Sequence, residues 1–297
     1  MISEKAKKTI EQVRAAYMPV VDWEAIDWPL MRKASEALIT DGPFPDGISW
    51  KTSEIGEVPV EWTILPKASG KLILHIHGGG MCTGEARFDR FMLSHIAGLT
   101  GRNAVSVNYR LSPEYAAPAA IEDCADVYRG LIREGYAPDD IVLLGESAGG
   151  MLALSLCAFL KREGDALPAA VCAISPSVDS QYESQSMETN RDSEIVVNQN
   201  IKEMMQAIYF CGADPMDPVL SPIHSDLRGW PPVYLMACRE EILRDEAVRM
   251  NVKLQEAGVV SQLSIDEGLF HTYMLQDLPE SYEAFGRIAE FYALACK

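Results

Sequence analysis

A short glycine-rich segment in the middle of the chain has the residue types needed for nucleophilic attack. Residues 145–150 read Gly-Glu-Ser-Ala-Gly-Gly, and they lie between two apolar runs at 141–144 and 151–160. In a strand–turn–helix corner, this pattern exposes the serine at the end of a sheet, with the positive end of the helix facing the reacting atoms. An incidental serine in a glycine-rich turn is the alternative, but it does not explain the flanking strand and helix. The pattern therefore predicts that Ser147 is a nucleophile.

A second glycine-rich segment lies about seventy residues earlier. Residues 77–80 read His-Gly-Gly-Gly and follow the apolar run 72–76. Three successive glycines cost backbone entropy, and they leave N–H groups unshielded that can point at a developing oxyanion. We expect an oxyanion hole, with candidate donors Gly78, Gly79, Gly80 and Ala148, the residue after the nucleophile.

Two histidines near these glycines raise the question of a metal site. His75 and His77 share one face of the predicted strand and could form a ligand pair. No third ligand follows at a telling spacing, and His77 already belongs to the glycine-rich segment. We therefore expect neither a metal ion nor another cofactor.

A serine hydroxyl is a poor nucleophile near neutral pH, so it needs a base, which on this type of fold follows the serine in the chain. Only His224 and His271 follow Ser147. His271 comes after a predicted strand at 260–265 and before a terminal helix, whereas His224 lies in a proline-rich connection. The order and the position predict that His271 is the base.

The acid that orients the histidine should follow the predicted strand at 233–237. Four carboxylates compete there: Glu240, Glu241, Asp245 and Glu246. The first two are nearest the strand end. The other two fall in the first turn of the next helix, where carboxylates ordinarily stabilise the helix terminus. The residues alone leave the choice open.

Apolar runs along the chain predict the elements that position these residues. Residues 48–53 and 58–65 suggest an antiparallel pair separated by a turn at 54–57. Uninterrupted apolar runs then recur with helices between them, as a parallel sheet covered on both faces requires. These runs are residues 72–76, 104–107, 141–144, 169–174, 233–237 and 260–265. We predict an α/β fold whose sheet is antiparallel at its start and parallel thereafter.

Two segments outside this pattern are predicted to form a cap. Residues 1–45 read as helical pieces, with Ser3 capping a first helix and a second helix over 28–38. Residues 180–210 are a polar insertion that ends in a helix-like stretch from residue 200. An insertion at the carboxyl end of a parallel strand lies where open α/β sheets bind ligands. We expect cap helices in 1–45, and a catalytic domain over 46–297 with a cap insertion at about 180–210.

Charge and composition exclude several classes of protein. The chain has 297 residues, with 26 Lys and Arg against 43 Asp and Glu, and a net charge of −17. Such a surface repels phosphate backbones and anionic lipids, so we expect no nucleic-acid or membrane partner. The N-terminus has no apolar export segment, and seven cysteines are scattered without a paired spacing. We expect a cytoplasmic protein with reduced thiols.

Together these segments resemble the bacterial hormone-sensitive-lipase-type esterases of the α/β-hydrolase superfamily. The resemblance covers about residues 60–295. It rests on motifs at residues 77–80, 108–114, 118–123, 145–150, 217–218, 221–222 and 231–232. The family's acid falls in an (Asp/Glu)-x-Leu-x-Asp-(Asp/Glu) segment, which matches 241–246 and selects Glu241. The resemblance also implies a substrate lid and a homodimer formed through the edge of the last strand.

Three residues depart from the family pattern. Glu146 stands where the nucleophile motif usually has aspartate, Glu241 stands where the acid usually is aspartate, and Met81 replaces an aromatic residue after the glycines. Met81 is flexible and apolar, so it either shapes the acyl side of the pocket or fills a gap in the core. We expect Met81, Glu146 and Phe270 to line the substrate pocket.

The resemblance implies a serine carboxylesterase that acts on small esters with short acyl chains through Ser147, His271 and Glu241. The same residues could attack amides, so an amidase or formamidase is an alternative within the enzymes. A catalytically silent binding protein on the same fold is an alternative from another class, although such a protein would be expected to lose the base.

Overall fold

A computed structural model describes residues 1–17, 22–36 and 39–296 of the chain. These residues form one eight-stranded sheet in the order β1-β2-β4-β3-β5-β6-β7-β8. The strands are β1 (Ser49–Ile55), β2 (Val58–Ile64), β3 (Leu72–Ile76), β4 (Asn103–Val107), β5 (Ile141–Glu146), β6 (Ala170–Ile174), β7 (Val233–Cys238) and β8 (Ser261–Asp266). The pairs β1–β2 and β2–β4 are antiparallel and all others are parallel, which confirms the predicted α/β fold.

Helices cover both faces of the sheet. They are α1 (Glu4–Ala16), α2 (Trp28–Ser35), α3 (Arg90–Thr100), α4 (Ala119–Arg133), α5 (Ala148–Glu163), α6 (Ser186–Thr189), α7 (Ile201–Met205), α8 (Arg244–Glu256) and α9 (Pro279–Ala295). One apolar core lies between the sheet and α4, α5 and α8, and a second lies between the sheet and α3 and α9. The central strands β3, β5, β6 and β7 are buried throughout, which is why they read as uninterrupted apolar runs.

Strand β1 is longer than the sequence pattern indicates. We expected a turn from residue 54, but β1 continues to Ile55 and the turn is confined to residues 56–57. Ile55 is buried because it packs against Gly130 of α4, where an added Cβ would lie only 2.2 Å from the Ile55 side chain. This contact holds the end of the strand against the helix.

The N-terminal segment is attached to the C-terminal part of the chain. Ser3 caps α1 as predicted, because its Oγ accepts the N–H of Ala6 at 3.1 Å. The Ser3 N–H and Oγ also bond Glu280 at 2.5 and 3.0 Å, and Lys5 pairs with Asp277 at 2.6 Å. Helix α1 therefore packs beside the start of α9.

Helix α2 is held against the loops that follow β3 and β4. Its Arg32 donates to the carbonyl oxygens of Cys82 and Ser112, both at 2.8 Å, and to the Glu114 carboxylate at 2.7 and 2.9 Å. The α-helix ends at Ser35, and residues 37–38, the end of the predicted helix, lie outside the described residues.

The predicted helix over residues 200–210 is α-helical only in its first half. Helix α7 ends at Met205, and a wider π-helical turn follows at Gln206–Phe210. In that turn the Tyr209 carbonyl accepts the N–H of Ala117, which lies outside the helix. Among the described residues, no helix has the length and apolar character needed to cross a membrane.

Candidate active site

Ser147 occupies the sharp corner between β5 and α5. Its φ of 55° and ψ of −120° are rare for a residue with a side chain, and its N–H donates to the Ile174 carbonyl at 2.8 Å. A Cβ at Gly145 would lie 2.2 Å from the Gly149 carbonyl oxygen, and one at Gly149 would lie 1.9 Å from the Ile76 carbonyl oxygen. Both glycines are therefore required by the close approach of backbone segments at this corner.

The structure brings together the three residues predicted from the sequence. His271 Nε2 lies 2.8 Å from Ser147 Oγ, and His271 Nδ1 lies 2.6 Å from Glu241 Oε2. All three come from loops or turns that follow strands β5, β7 and β8, at the carboxyl edge of the sheet. This geometry allows the imidazole to accept a proton from Ser147 while the carboxylate holds its other nitrogen.

Of the four carboxylates that the sequence alone left open, Glu240 and Glu241 are nearest the strand end, and the structure gives them different partners. Glu241 is buried, and its Oε1 accepts the Cys238 N–H at 2.7 Å and the Ser175 hydroxyl at 3.0 Å. Glu240 instead accepts the N–H of Gly268 at 2.9 Å. Because Glu241 Oε1 has two donors, its second oxygen is fixed toward the histidine.

The surroundings of His271 favour its protonated form. Burial lowers the pKa of the imidazole, but the hydrogen bond and negative charge of Glu241, with the charge of Glu194, raise the pKa by more than burial lowers it. The net result is a pKa above the ordinary value of 6.5. An imidazole in this setting can hold the proton that it takes from the serine.

The glycine segment after β3, residues 77–80, precedes Ser147 in the sequence but lies close to it in the folded chain. Gly79 and Gly80 have φ of 102° and 61°, and the N–H groups of Gly79, Gly80 and Ala148 donate to no other atom of the described residues. The Gly78 N–H differs, because it donates to Glu146 Oε1. Our expectation that Gly78 is an oxyanion donor is therefore wrong, since this N–H is already committed to a carboxyl group.

His77 supports this segment from behind. Its Nδ1 lies 2.7 Å from the Gly78 carbonyl oxygen, and its ring stacks on Tyr109 with 4.2 Å between the ring centres. Burial lowers the pKa of His77 to about 3, so the ring is neutral. The Tyr109 hydroxyl donates to the His77 carbonyl at 2.9 Å. His77 and His75 thus have separate partners within the protein, rather than forming the ligand pair that their spacing allows.

A small cavity of about 30 Å³ adjoins the Ser147 side chain. It is lined by Gly80, Met81, Ser147, Ala148, Met151, Ser177, Tyr182, Val197, Ile201, Met205 and Leu243. Met81 thus lies where we expected it. Glu146 and Phe270 are not part of this lining: the Glu146 carboxyl group faces His75 and Gly78, and Phe270 packs in the core on the α3–α9 side.

The insertion forms one wall of the cavity and also binds the loop of Glu241. Glu194 is buried and accepts the N–H groups of residues 195–197 and of Ile242, at 2.7 to 3.0 Å. Asn190 Nδ2 donates to the carbonyl oxygens of Arg239 and Glu241, at 2.7 and 2.8 Å. These residues could not be singled out from the sequence, because they lie in a polar stretch without periodicity and their partners are far along the chain.

Residues 73–275 match the α/β hydrolase fold family, and the chain belongs to that family. The fold, the nucleophile corner and the serine–histidine–glutamate contacts agree with this class. The chain is 32% identical to an acetyl-hydrolase from Streptomyces hygroscopicus over 74% of this chain and 73% of the relative. It is also 32% identical to an esterase from Acinetobacter venetianus over 74% of each chain.

Solved structures extend the similarity to the whole chain. A crystal structure of an esterase from the bacterial hormone-sensitive lipase family matches with a TM-score of 0.93 and 32% identity over the full length of both chains. A crystal structure of an esterase/lipase from an uncultured bacterium matches with a TM-score of 0.92 and 29% identity over 99% of both chains. The resemblance to the bacterial hormone-sensitive lipase family is thus confirmed.

Proposed function

We propose that this ester hydrolase of the α/β hydrolase fold family cleaves short-chain acyl esters with Ser147 as nucleophile, His271 as general base and Glu241 as the orienting acid. The observation that carries the proposal is the unbroken hydrogen-bonded chain of 2.6 and 2.8 Å from Glu241 through His271 to Ser147. No metal or cofactor takes part in the proposed reaction.

The reaction proceeds in two acyl transfers. His271 Nε2 takes the Ser147 proton while Oγ attacks the ester carbonyl, and the imidazolium then protonates the departing alcohol. Water enters, gives a proton to His271, and attacks the acyl carbonyl; the imidazolium then returns that proton to Ser147 Oγ as the carboxylic acid leaves, which regenerates Ser147 and neutral His271. Glu241 stabilises the imidazolium in both halves of the reaction.

The oxyanion of each tetrahedral intermediate is stabilised by the N–H groups of Gly79, Gly80 and Ala148. Gly80 and Ala148 line the cavity together with Ser147, Gly79 precedes Gly80 in the chain, and all three N–H groups are uncommitted within the described residues. The N-terminus of α5, which is the positive end of the helix dipole, lies at the same place and also stabilises the negative charge of the oxyanion. Donors fixed in advance by the backbone stabilise the charge without reorganising.

The size of the cavity next to Ser147 supports a short acyl chain. Its volume of about 30 Å³ has room for only a few heavy atoms. The side chains around it are mostly apolar and include Met81, Met151 and Met205, so it favours a small hydrocarbon group over a charged one. Acetyl and propionyl esters fit this description better than long acyl chains.

Replacement of Ser147 tests the proposal. We expect Ser147→Ala to lower turnover of p-nitrophenyl acetate by about 10⁶ and to abolish labelling by a fluorophosphonate probe. His271→Ala should lose activity similarly, whereas His224→Ala, which changes a histidine outside the site, should not. More than a few per cent of activity in Ser147→Ala would contradict the proposal. If acyl anilides are turned over faster than matched esters, the preferred substrate is an amide rather than an ester.

We also propose two partners, a substrate and, as the resemblance to the family implies, a second copy of the chain. The substrate is a small neutral ester, and the two chains of a homodimer meet at the free edge of β8, the last strand of the sheet. We expect the wild type to sediment as a dimer and Gln262→Pro, which alters β8, to sediment as a monomer. A dimer in both proteins would place the contact elsewhere.

A further inference from the structure

Next to the glycine segment at residues 77–80 lies a buried cluster of titratable side chains that the proposed reaction does not use. Glu146 is the last residue of β5, and its Oε2 lies 3.0 Å from His75 Nε2 on the neighbouring strand β3. His75 Nδ1 in turn lies 2.7 Å from the Ser106 hydroxyl on β4. Asp89 Oδ2 lies 3.9 Å from His75 Nε2 and has no hydrogen-bond partner among the described residues.

We propose that Glu146 is a positioning residue whose carboxyl group holds the Gly78 N–H, and thereby aims the N–H groups of Gly79 and Gly80 at the oxyanion, while His75 holds Glu146. The proposal rests on the proposed function, because it assigns the supporting residue of the same oxyanion hole. Glu146 does not touch the substrate cavity, so it acts through the backbone of the glycine segment.

The glycine segment is held on both sides: a tight turn closes one side, and Glu146 contacts the other. On its far side, the Gly79 carbonyl accepts the N–H groups of Cys82 and Thr83, at 3.1 and 3.0 Å. A Cβ at Gly79 would lie 2.2 Å from the Thr83 carbonyl oxygen, so this turn is tightly closed. On its near side, the Gly78 N–H is directed at Glu146 Oε1. Loss of that acceptor would leave Gly78 held through its carbonyl, which accepts from His77 Nδ1 and the Tyr109 hydroxyl at 2.7 and 3.3 Å, with its N–H no longer fixed in direction.

The length of the Glu146 side chain matches the distance that it spans. One carboxyl oxygen meets Gly78 and the other meets His75, whose ring is fixed by Ser106. An aspartate at this position would be shorter by one methylene group and could not reach both partners with the same backbone. Reaching both partners requires the longer acid.

The charges of the cluster indicate which proton arrangement it adopts. Burial raises the pKa of Glu146 to about 8, and burial likewise raises the pKa of Asp89 well above its ordinary value. Burial lowers the pKa of His75. Near neutral pH, Glu146 is therefore protonated: it accepts from Gly78 through Oε1, donates Oε2–H to His75 Nε2, and His75 donates Nδ1–H to Ser106. This arrangement satisfies each of these atoms without placing a net charge in the core.

A glutamine at position 146 has the same pattern of one acceptor and one donor. We expect Glu146→Ala and Glu146→Asp to lower kcat on p-nitrophenyl acetate by about 10² with little change in KM, because an oxyanion donor lost from its position costs that much. Glu146→Gln should recover most of this loss. Affinity for an aryl trifluoromethyl ketone, which forms a tetrahedral adduct with the serine, should fall in parallel with kcat.

A matched control separates positioning from stability. Glu61 is also a buried glutamate of the sheet, but its carboxylate pairs with Arg90 at 2.5 and 2.9 Å, away from the glycine segment. We expect Glu61→Gln to lower the melting temperature with kcat unchanged, whereas the Glu146 variants change kcat per labelled active site. Titration with a fluorophosphonate counts these sites in every variant, so a wild type that does not label would contradict the proposed function rather than this inference.

Two results would overturn the inference. The first is full kcat in Glu146→Ala, which would make the Gly78 contact irrelevant to catalysis. The second is a loss in Glu146→Gln as large as that in Glu146→Ala, because a neutral donor and acceptor would then not suffice. His75, Asp89 and Glu146 place ligand atoms within 4.8 Å of one another, so in that case elemental analysis and zinc titration would test a metal ion as the alternative.

Discussion

The carboxylate of Glu194 accepts the N–H of Ile242, the residue next to Glu241, at 3.0 Å. The same carboxylate binds three N–H groups of its own loop. One side chain of the insertion therefore fixes both the wall of the cavity and the loop of the acid. We expect Glu194→Ala to lower kcat by about 10-fold and the free energy of unfolding by about 2 to 4 kcal/mol, because buried N–H groups lose their acceptor.

Glu183 provides the control for this prediction. It lies in the same insertion, but it is exposed and, among the residues that the structure describes, pairs only with Lys202, at 3.2 Å. Glu183→Ala should leave kcat and stability unchanged, as measured by steady-state kinetics and urea denaturation. Equal effects of the two variants would show that the insertion loop, and not the bond to Ile242, determines the outcome.

Replacement of Glu241 and Glu240 distinguishes the two neighbouring acids. Glu241→Gln should lower kcat by about 10⁴, because the histidine loses the carboxylate that orients and stabilises it. Glu240→Gln should have little effect, since an amide oxygen can still accept the Gly268 N–H. Kinetics on p-nitrophenyl acetate, with circular dichroism to verify folding, decides the point. A larger loss of kcat in Glu240→Gln than in Glu241→Gln would indicate that Glu240 is the orienting acid instead.

The pH dependence of activity should reflect the raised pKa of His271. The base acts only when neutral, so kcat/KM should fall as the pH decreases, with a midpoint above the ordinary 6.5. In Glu241→Gln the carboxylate no longer opposes the effect of burial, and the midpoint of the residual activity should move to lower pH. Profiles of both proteins between about pH 5 and pH 9 measure the shift. An unchanged midpoint would indicate that another group titrates.

The acyl preference should broaden when the cavity is enlarged. Met205 is buried in the wall of the cavity, so Met205→Ala should raise the ratio of butyrate to acetate turnover by about 10-fold. It should also cost about 2 to 5 kcal/mol of stability, as large-to-small changes in a core do. Met216 is half exposed, and Met216→Ala should change neither quantity. Best activity of the wild type on palmitate would contradict the short-chain proposal.

The parts of the molecule that follow a local pattern could be predicted from the sequence. The buried strands β3, β5, β6 and β7 read as apolar runs because both of their faces are covered. The serine corner could be predicted because glycines are the only residues that fit at positions 145 and 149. Chain order and the position after a predicted strand then favoured His271, whose Nε2 lies 2.8 Å from Ser147 Oγ.

Contacts between distant residues could not be predicted in this way. Glu146 and His75 are 71 residues apart, and their pairing depends on the neighbouring positions of β3 and β5 in the sheet. The same limitation applies to Gly78, whose N–H is indistinguishable from those of the next two glycines until its acceptor is known. Glu194 lies in a loop with no repeating pattern, and only the folded chain places it beside Ile242.

The attachment of α1 to α9 determines the order in which a newly made chain can complete its structure. Ser3 and Glu280 are 277 residues apart, and Lys5 and Asp277 are 272 residues apart. On the ribosome, Asp277 and Glu280 emerge only after all eight strands have been synthesised, so the strands can already fold by then. We expect a nascent chain to form its sheet before its N-terminus can dock. Helix α1 therefore reaches its place after strands that are synthesised later than it is.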